Sequence, residues 1–589
     1  MFEFEQESVS EQIRTYCLAL DIQPPDEIKW QPIPFSGEWG ISMPIFPIAA
    51  QEARSGRPVN IPQRAQAIAE AICESLGTPT GFSRVEAVRG YLNLYFETSQ
   101  FSHRVVENVL SQGENFGRGG KKGEQVMVEF SQPNTHKSFH VGHLRSAILG
   151  DAVCRILDFA GYDVVRSNYP GDIGLHVIKW LWNYLKHHTG EKPEKDITQW
   201  MGDLYVEAND HLEANPELEK EVRDVYARWD RREPEVVALW EETRQWSLDG
   251  FEQLYRELDI QFDIYYFNSQ MEEPGKKIVQ ALIEQSIATD ERPEGPVIVK
   301  LDELLGNKKD KYRVLVVLRS DGTALYSTED LALTLKKFQD YPDLIRSIYV
   351  VDVRQSLHFN QVWKTMELAG YEEPKKCIHI PYELVNLPGN VVMSSREGTF
   401  VLLEELIREA RERALEVVQE KNPDLPDTIQ KEVATAVGLG ALRFPILARD
   451  NTKTVIFDWE AALDFNGQAA PYIQYAHVRA SSILKKANIK DLPSSNLPTH
   501  DLDPSEVEVI DLISRVPAEV QRAAEEYKTL HISNHTYELA KAFNNFYRNC
   551  PVIQAEPDVR AYRLRLVEAT RLSISNLLKL LGIQAPDVM

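Results

Sequence analysis

Apolar residues recur at helical spacing from Ala65 to Leu76 and then alternate through Tyr91-Leu-Asn-Leu-Tyr-Phe96, so residues 1–120 are expected to form a small α+β domain. A polar, glycine-rich stretch, Gly113 to Glu124, closes it and reads as a linker. A phosphate cradle is the sharper reading, but Glu124 follows Gly123 where a G-x-x-x-x-G-K-[ST] loop needs Lys. The apolar run Val126–Phe130, a helical run from Leu144 to Ala160 and a second strand at Asp163–Arg166 predict a βαβ unit on a parallel sheet. Residues 191–260 place Glu, Trp and Leu at helical spacing with almost no strand signal, which predicts a helical insertion. Strands return at Tyr312–Leu318 and Ser347–Asp352 around a helix at Asp330–Phe338, and both are expected to complete the sheet begun at Val126. Beyond Thr399 the pattern is helical, with seams such as Leu566, Ala569, Leu572 and Ile574 to Leu581 suited to a bundle. The fold class expected is α/β multidomain, divided at 1–120, 121–190, 191–260, 261–400, 401–460 and 461–589.

Composition narrows the class. With 589 residues and 43% hydrophobic positions the chain can bury several cores, which excludes a disordered, collagenous or small disulfide-framed protein. Its five cysteines, Cys17, Cys73, Cys154, Cys377 and Cys550, are odd in number and widely spaced, so neither a disulfide framework nor a zinc site is expected. The start MFEFEQESVSEQ reads as neither signal nor transit peptide, and no apolar run approaches the roughly 18 residues of a span, so a cytoplasmic protein is expected. The net charge of −24 argues against gripping a polyanion through bulk charge, yet its distribution changes the picture. Residues 191–260 carry −11 and residues 1–120 carry −6, whereas 121–180 is net +1 and 461–589 net −1.

The +1 segment holds the densest chemistry, Ser131-Gln-Pro-Asn-Thr-His-Lys-Ser-Phe-His-Val-Gly-His-Leu-Arg145. It lies where a parallel strand ends and a helix begins, the position at which open α/β sheets bind ligands and helix N-termini favour phosphate. His140 and His143 are three apart and can address one phosphate, while Gly142 lets a flat ring approach the backbone. A zinc pair lacks a third local ligand; helix-capping histidines remain the bland alternative.

The string Pro133-Asn-Thr-His-Lys-Ser-Phe-His-Val-Gly-His-Leu-Arg-Ser-Ala-Ile-Leu-Gly-Asp151 resembles the H-x-G-H region of class I aminoacyl-tRNA synthetases, and specifically of the arginyl-tRNA synthetase family. The resemblance spans the chain. It implies a Rossmann-type parallel-sheet catalytic core (121–190 and 261–400), an N-terminal α+β domain that contacts the tRNA elbow, a helical stem-contact region (401–460) and an all-α anticodon-binding domain (461–589) opened by Ala470-Pro-Tyr-Ile-Gln-Tyr-Ala-His-Val-Arg479. It implies arginine–tRNA ligase activity, with L-arginine, ATP accompanied by Mg²⁺ and tRNA(Arg) as partners, no dedicated structural metal, no membrane and a monomer. By position, His140, Gly142 and His143 would bind ATP and stabilise its α-phosphate; Asn134, Tyr326, Asp330 and Gln355 would bind arginine, with His358 in the same family loop as Gln355. Asn93 and Tyr95 would meet the elbow, and Tyr475 and Arg479 the anticodon. Two departures stand out. The second signature, K-M-S-K-S in the class, is Val392-Met-Ser-Ser-Arg396 here, so Met393 and Ser394 keep the ATP contact while Lys137 and Arg396 would supply the missing positive charge. Asn268, in Phe267-Asn-Ser-Gln270, replaces a Glu expected near the guanidinium. A simple nucleotidyltransferase and a non-catalytic tRNA-binding paralogue are the competing functions.

Overall fold

The structure is a computed structural model that describes residues 3–19, 22–25, 28–34, 38–54, 60–139, 141–306, 311–387, 391–392, 402–488 and 497–589. Its centre is a parallel sheet of β1 (Gln125–Glu129), β2 (Asp163–Asn168), β3 (Ile264–Tyr265), β4 (Leu344–Asp352) and β5 (Cys377–Tyr382), ordered β5-β4-β1-β2-β3. The order reverses between β1 and β4, and that switch point opens a crevice at the carboxyl ends of the strands. Val126, Met127 and Val128 are all buried, as a strand covered on both faces requires. Helix α1 (Val141–Phe159) makes the crossover to β2, and it lies so close to the end of β1 that a Cβ on Gly150 would collide with the Phe130 ring.

One strand departs from expectation. Val314–Leu318 lies outside the parallel sheet and pairs antiparallel with Val297–Lys300, which in turn pairs with Thr289–Asp290. The reason is solvent: Val314 and Val316 are 49% and 37% exposed, so this strand buries one face only. Ser347–Asp352 does join the core sheet, as part of β4.

The N-terminal domain is α+β. Four antiparallel strands, in the spatial order Gln31–Pro32, Gly40–Pro44, Tyr91–Phe96 and Phe82–Val88, pack with the helices Glu3–Ala19, Phe46–Arg54, Ile61–Leu76 and Thr98–Gln112. After β2 come α2 (Leu175–His187), α3 (Ile197–Ala214), α4 (Glu219–Asp230) and α5 (Pro234–Glu257). Their shared core is tryptophan-rich: Trp180, Trp182, Trp229, Trp240 and Trp246 are buried there. The second half of the core adds α6 (Asn268–Glu284), α7 (Tyr326–Asp340) and α8 (Ser356–Leu368). The chain closes with α9 (Leu403–Lys421), α10 (Asp427–Leu447), α11 (Ala470–Ala487), α12 (Pro504–Glu526), α13 (Thr529–Asn549) and α14 (Pro557–Leu580). Arg443 of α10 is buried and donates to Asp151 of α1 at 2.9 Å and to the Leu581 carbonyl at 3.2 Å, tying core and C-terminal helices together. Among the described residues no helix is long and apolar enough to cross a membrane.

Candidate active site

The loop leaving β1 is bent into an uncommon backbone. Ser131, Gln132 and His136 have φ of 76°, 44° and 59°, each in the left-handed region that costs a non-glycine residue about 1 kcal/mol or more. Fixed partners hold that geometry: Ser131 N donates to Ser146 Oγ at 2.9 Å, Gln132 N to Asn168 Oδ1 at 3.2 Å and His136 N to Ser247 Oγ at 3.0 Å. The sheet continues into the loop, because Asn134 bridges Gly171 in parallel and Thr135 N donates to the Gly171 carbonyl at 2.9 Å. A Cβ at position 171 would collide with Asn134 Oδ1, so any larger residue there would displace the Asn134 side chain.

The helical insertion forms the back wall of this loop. His136 is fully buried, its Nε2 2.8 Å from Thr243 Oγ1 and its Nδ1 3.0 Å from Thr135 Oγ1, and burial holds the imidazole neutral. Gly202 of α3 meets Ser138 so closely that a Cβ would overlap the serine hydroxyl. The Lys137 ammonium stands 4.8 Å from the centre of the Tyr205 ring, also on α3. His176 of α2 is pushed down to about 3, by burial first and then by the Lys137 charge. The insertion therefore packs against the loop that carries Lys137, a contact its acidic composition did not reveal.

Gly142 and His143 lie in the first turn of α1, where the His143 ring is 5.1 Å from that of Phe139. His140, Met393, Ser394 and Arg396 fall outside the described residues. Arg145, two residues beyond His143, is buried and donates to the carbonyls of Glu383, Leu384 (2.9 Å), Asn451 (3.1 Å) and Lys453 (2.8 Å). It thereby fixes the segment leading to the second signature against α1.

Opposite this helix the crevice turns acidic. Asp172 is fully buried and accepts from Ser269 N (2.9 Å), Ser269 Oγ (2.6 Å) and Arg244 (3.0 Å). Asp330, in the first turns of α7, bonds His358 Nε2 at 2.6 Å, so the two residues singled out from separate sequence segments do meet. Asn268 donates to the buried carboxyl of Glu329. Burial, and then the charges of Asp330, Glu272 and Asp172, raise that carboxyl to about 8 against the Asn268 bond. Tyr326 begins α7 and is 67% exposed, and Gln355 is exposed at the end of the turn that leads into α8. Among the described residues no three His, Cys, Asp or Glu side chains converge as metal ligands.

Four expected contact residues lie in the flanking domains. Asn93 and Tyr95 are buried in their strand: Asn93 Oδ1 accepts from Ser42 at 2.7 Å, and the Arg84 guanidinium covers the Tyr95 ring at 3.6 Å. In the C-terminal bundle, Arg479 lies 4.8 Å from the ring centres of both Tyr475 and Tyr547. All three line a groove of about 1040 Å³ that also presents Lys421, Lys486 and Arg548 and, among the described residues, no carboxylate side chain, although the C-terminal Met589 borders it.

Known proteins match this arrangement. The family of tRNA synthetases class I (R), catalytic domain, matches residues 105–459, and the DALR anticodon binding domain matches residues 473–589. The arginine–tRNA ligase of Clostridium perfringens is 36% identical over 511 residues, covering 86% of this chain and 88% of the relative. That of Halothermothrix orenii is 34% identical over 525 residues, covering 89% and 90%. Among solved structures, Thermus thermophilus arginyl-tRNA synthetase superposes with a TM-score of 0.82 at 28% identity, covering 99% of this chain and 100% of its own. Likeness of this extent runs through both the nucleotide-binding core and the C-terminal helices, and the chain belongs to the class I arginyl-tRNA synthetases.

Proposed function

We propose that this arginine–tRNA ligase divides its reaction between the two walls of the crevice. ATP, entering with Mg²⁺ as its substrate complex, lies over the first turn of α1, where Gly142 admits the adenine and His140 and His143 meet the α-phosphate. Lys137 and Arg396 neutralise the pyrophosphate as it leaves, and Met393 and Ser394 contact the ATP. Arginine lies across the acidic wall: Asn134 holds its α-amino and carboxylate end, Gln355 assists, and Asp330 with Tyr326 takes the guanidinium. The arginine carboxylate attacks the α-phosphorus, and the adenylate then gives its acyl group to the 3′-terminal adenosine of tRNA(Arg). Catalysis is positioning and charge stabilisation, with no covalent enzyme intermediate.

The Asp330–His358 pair carries this reading: it holds the Asp330 carboxylate oriented, and the neighbouring Glu329 bonds Asn268, whose side chain lies beside Gly171 next to Asn134. Asp330→Asn should raise the KM for arginine about 100-fold while leaving that for ATP nearly unchanged, since one charge-assisted contact to a cation is removed. An unchanged KM for arginine would place the amino acid elsewhere. The anticodon meets the Tyr475–Arg479–Tyr547 groove, and residues 401–460 face the tRNA stem. Asn93 and Tyr95 act on the elbow from beneath, by shaping the strand that carries Arg84. The five free cysteines, three of them buried, suit a cytoplasmic protein, and a monomer is the state sedimentation should find.

A further inference from the structure

Glu329 has an environment that the roles assigned so far leave unexplained. Its side chain is 6% exposed, no Lys or Arg pairs with it among the described residues, and three other carboxyl groups surround it: Asp330 on its own helix, Glu272 on α6, and Asp172 in the loop after β2, itself bonded to Arg244. Only the Asn268 amide donates to it among the described residues. That amide borders the arginine crevice: a Cβ on Gly171 would strike Asn134 Oδ1 first and reach Asn268 Oδ1 at 3.7 Å. The Tyr169 hydroxyl is buried near the same carboxylates without a hydrogen-bond partner among the described residues; burial, then Asp330 and Glu329, hold it well above its ordinary value. Two carboxyl groups and a spare phenol can use the many N–H donors of a guanidinium far better than the three of an ammonium.

We propose that Glu329 is a specificity residue for arginine, supplying with Asp330 the second carboxylate of the guanidinium site, while Asn268 orients it. The inference rests on placing arginine in this crevice. Asn268 and Glu329 form a donor–acceptor pair in which the carboxylate stands on α7, and position 268 contributes the amide that aims it. When the cation arrives the Glu329 proton leaves to solvent, so arginine binding releases up to one proton at pH values between the ordinary carboxylate range and about 8.

The kinetic test uses the full-length enzyme with tRNA(Arg), and the calorimetric test titrates arginine into the same enzyme without ATP, so that no turnover occurs. Glu329→Gln should raise the KM for arginine about tenfold or more with the KM for ATP unchanged, and should abolish the proton release seen by calorimetry in two buffers of different ionisation enthalpy. The double variant Glu329→Gln with Asn268→Glu returns the carboxylate to the other member of the pair and should recover most of the affinity. A KM for arginine within about twofold of the parent, or a double variant no better than Glu329→Gln alone, would overturn the proposal. Should Glu329→Gln fail to fold, the double variant compared with Asn268→Glu alone answers the same question, and retained arginine affinity in the double variant supports the pair. Asp330→Asn separates the two levels. If it too leaves the arginine KM unchanged, the crevice assignment falls; if only Glu329→Gln is silent, this inference falls alone.

Discussion

Lys137 shows how a single charge is placed. Its ammonium is held over Tyr205 close to a neutral His176, and no carboxylate pairs with it among the described residues. Lys137→Ala should lower the single-turnover rate of charging about 100-fold, the usual cost of one oriented donor at a developing anion, with little change in the KM for arginine. An unchanged rate would remove Lys137 from the chemistry. Glu329 gives a pH signature with a definite sign. Raised to about 8, it binds a proton in the free enzyme that arginine must expel, so the KM for arginine should fall as pH rises, at most about tenfold per unit, and level off above about 8. The same shift favours folding at low pH, a contribution lost as pH rises from about 4 through about 8. That Lys137, Asn134, His143 and Asp330 lie at a strand end or a helix start was legible from motif spacing. Glu329 was not, since a Glu one place before Asp330 looks like any first-turn acid until the fold brings Asn268 to it across 61 positions. Arg145 hid for the same reason: its four acceptors are backbone carbonyls more than 200 residues away.

Elements were legible where one periodicity dominates. The run from Leu144 foretold α1, which begins three residues earlier at Val141, and Ser347–Asp352 foretold the core of β4. Tyr312–Leu318 misled because a short apolar run does not say whether one or both faces are buried; pairing with Val297–Lys300 settles it. The insertion was legible as helical and acidic, and its glutamates are mostly outward. Its inward face, however, is what supports the β1–α1 loop. Gly202→Val should therefore depress adenylate formation severalfold, with tRNA affinity preserved, because the added atoms overlap Ser138 beside Lys137. Wild-type turnover in that variant would deny the insertion a positioning role. Arg244→Ala strips the only Arg or Lys partner, among the described residues, from the fully buried Asp172; stability should drop by about 3 kcal/mol in denaturant unfolding.

Across the whole molecule, packing makes the C-terminal helices part of the body. Arg565 of α14 bonds Glu107 of the N-terminal domain at 2.9 Å, and Asn576 donates to the Gly113 carbonyl at 3.0 Å. Deleting residues 461–589 would expose those faces, so point changes test the tRNA contact better. Replacing both Tyr475 and Arg479 by Ala should raise the KM for tRNA about tenfold or more, the worth of one lost base stack, and leave the KM for arginine alone. The charge of −24 falls mainly on residues 191–260, 261–460 and 1–120, sparing the groove, and nonspecific RNA should bind weakly and lose affinity steeply with salt. The acidic crevice, the nucleotide turn of α1 and the basic groove together make one claim about substrate. It is tested most directly by supplying the enzyme with ATP, total tRNA and each amino acid in turn, and measuring acylated tRNA. Charging with arginine, and with no other amino acid at a comparable rate, is the result predicted; efficient charging with a different amino acid and none with arginine would contradict it.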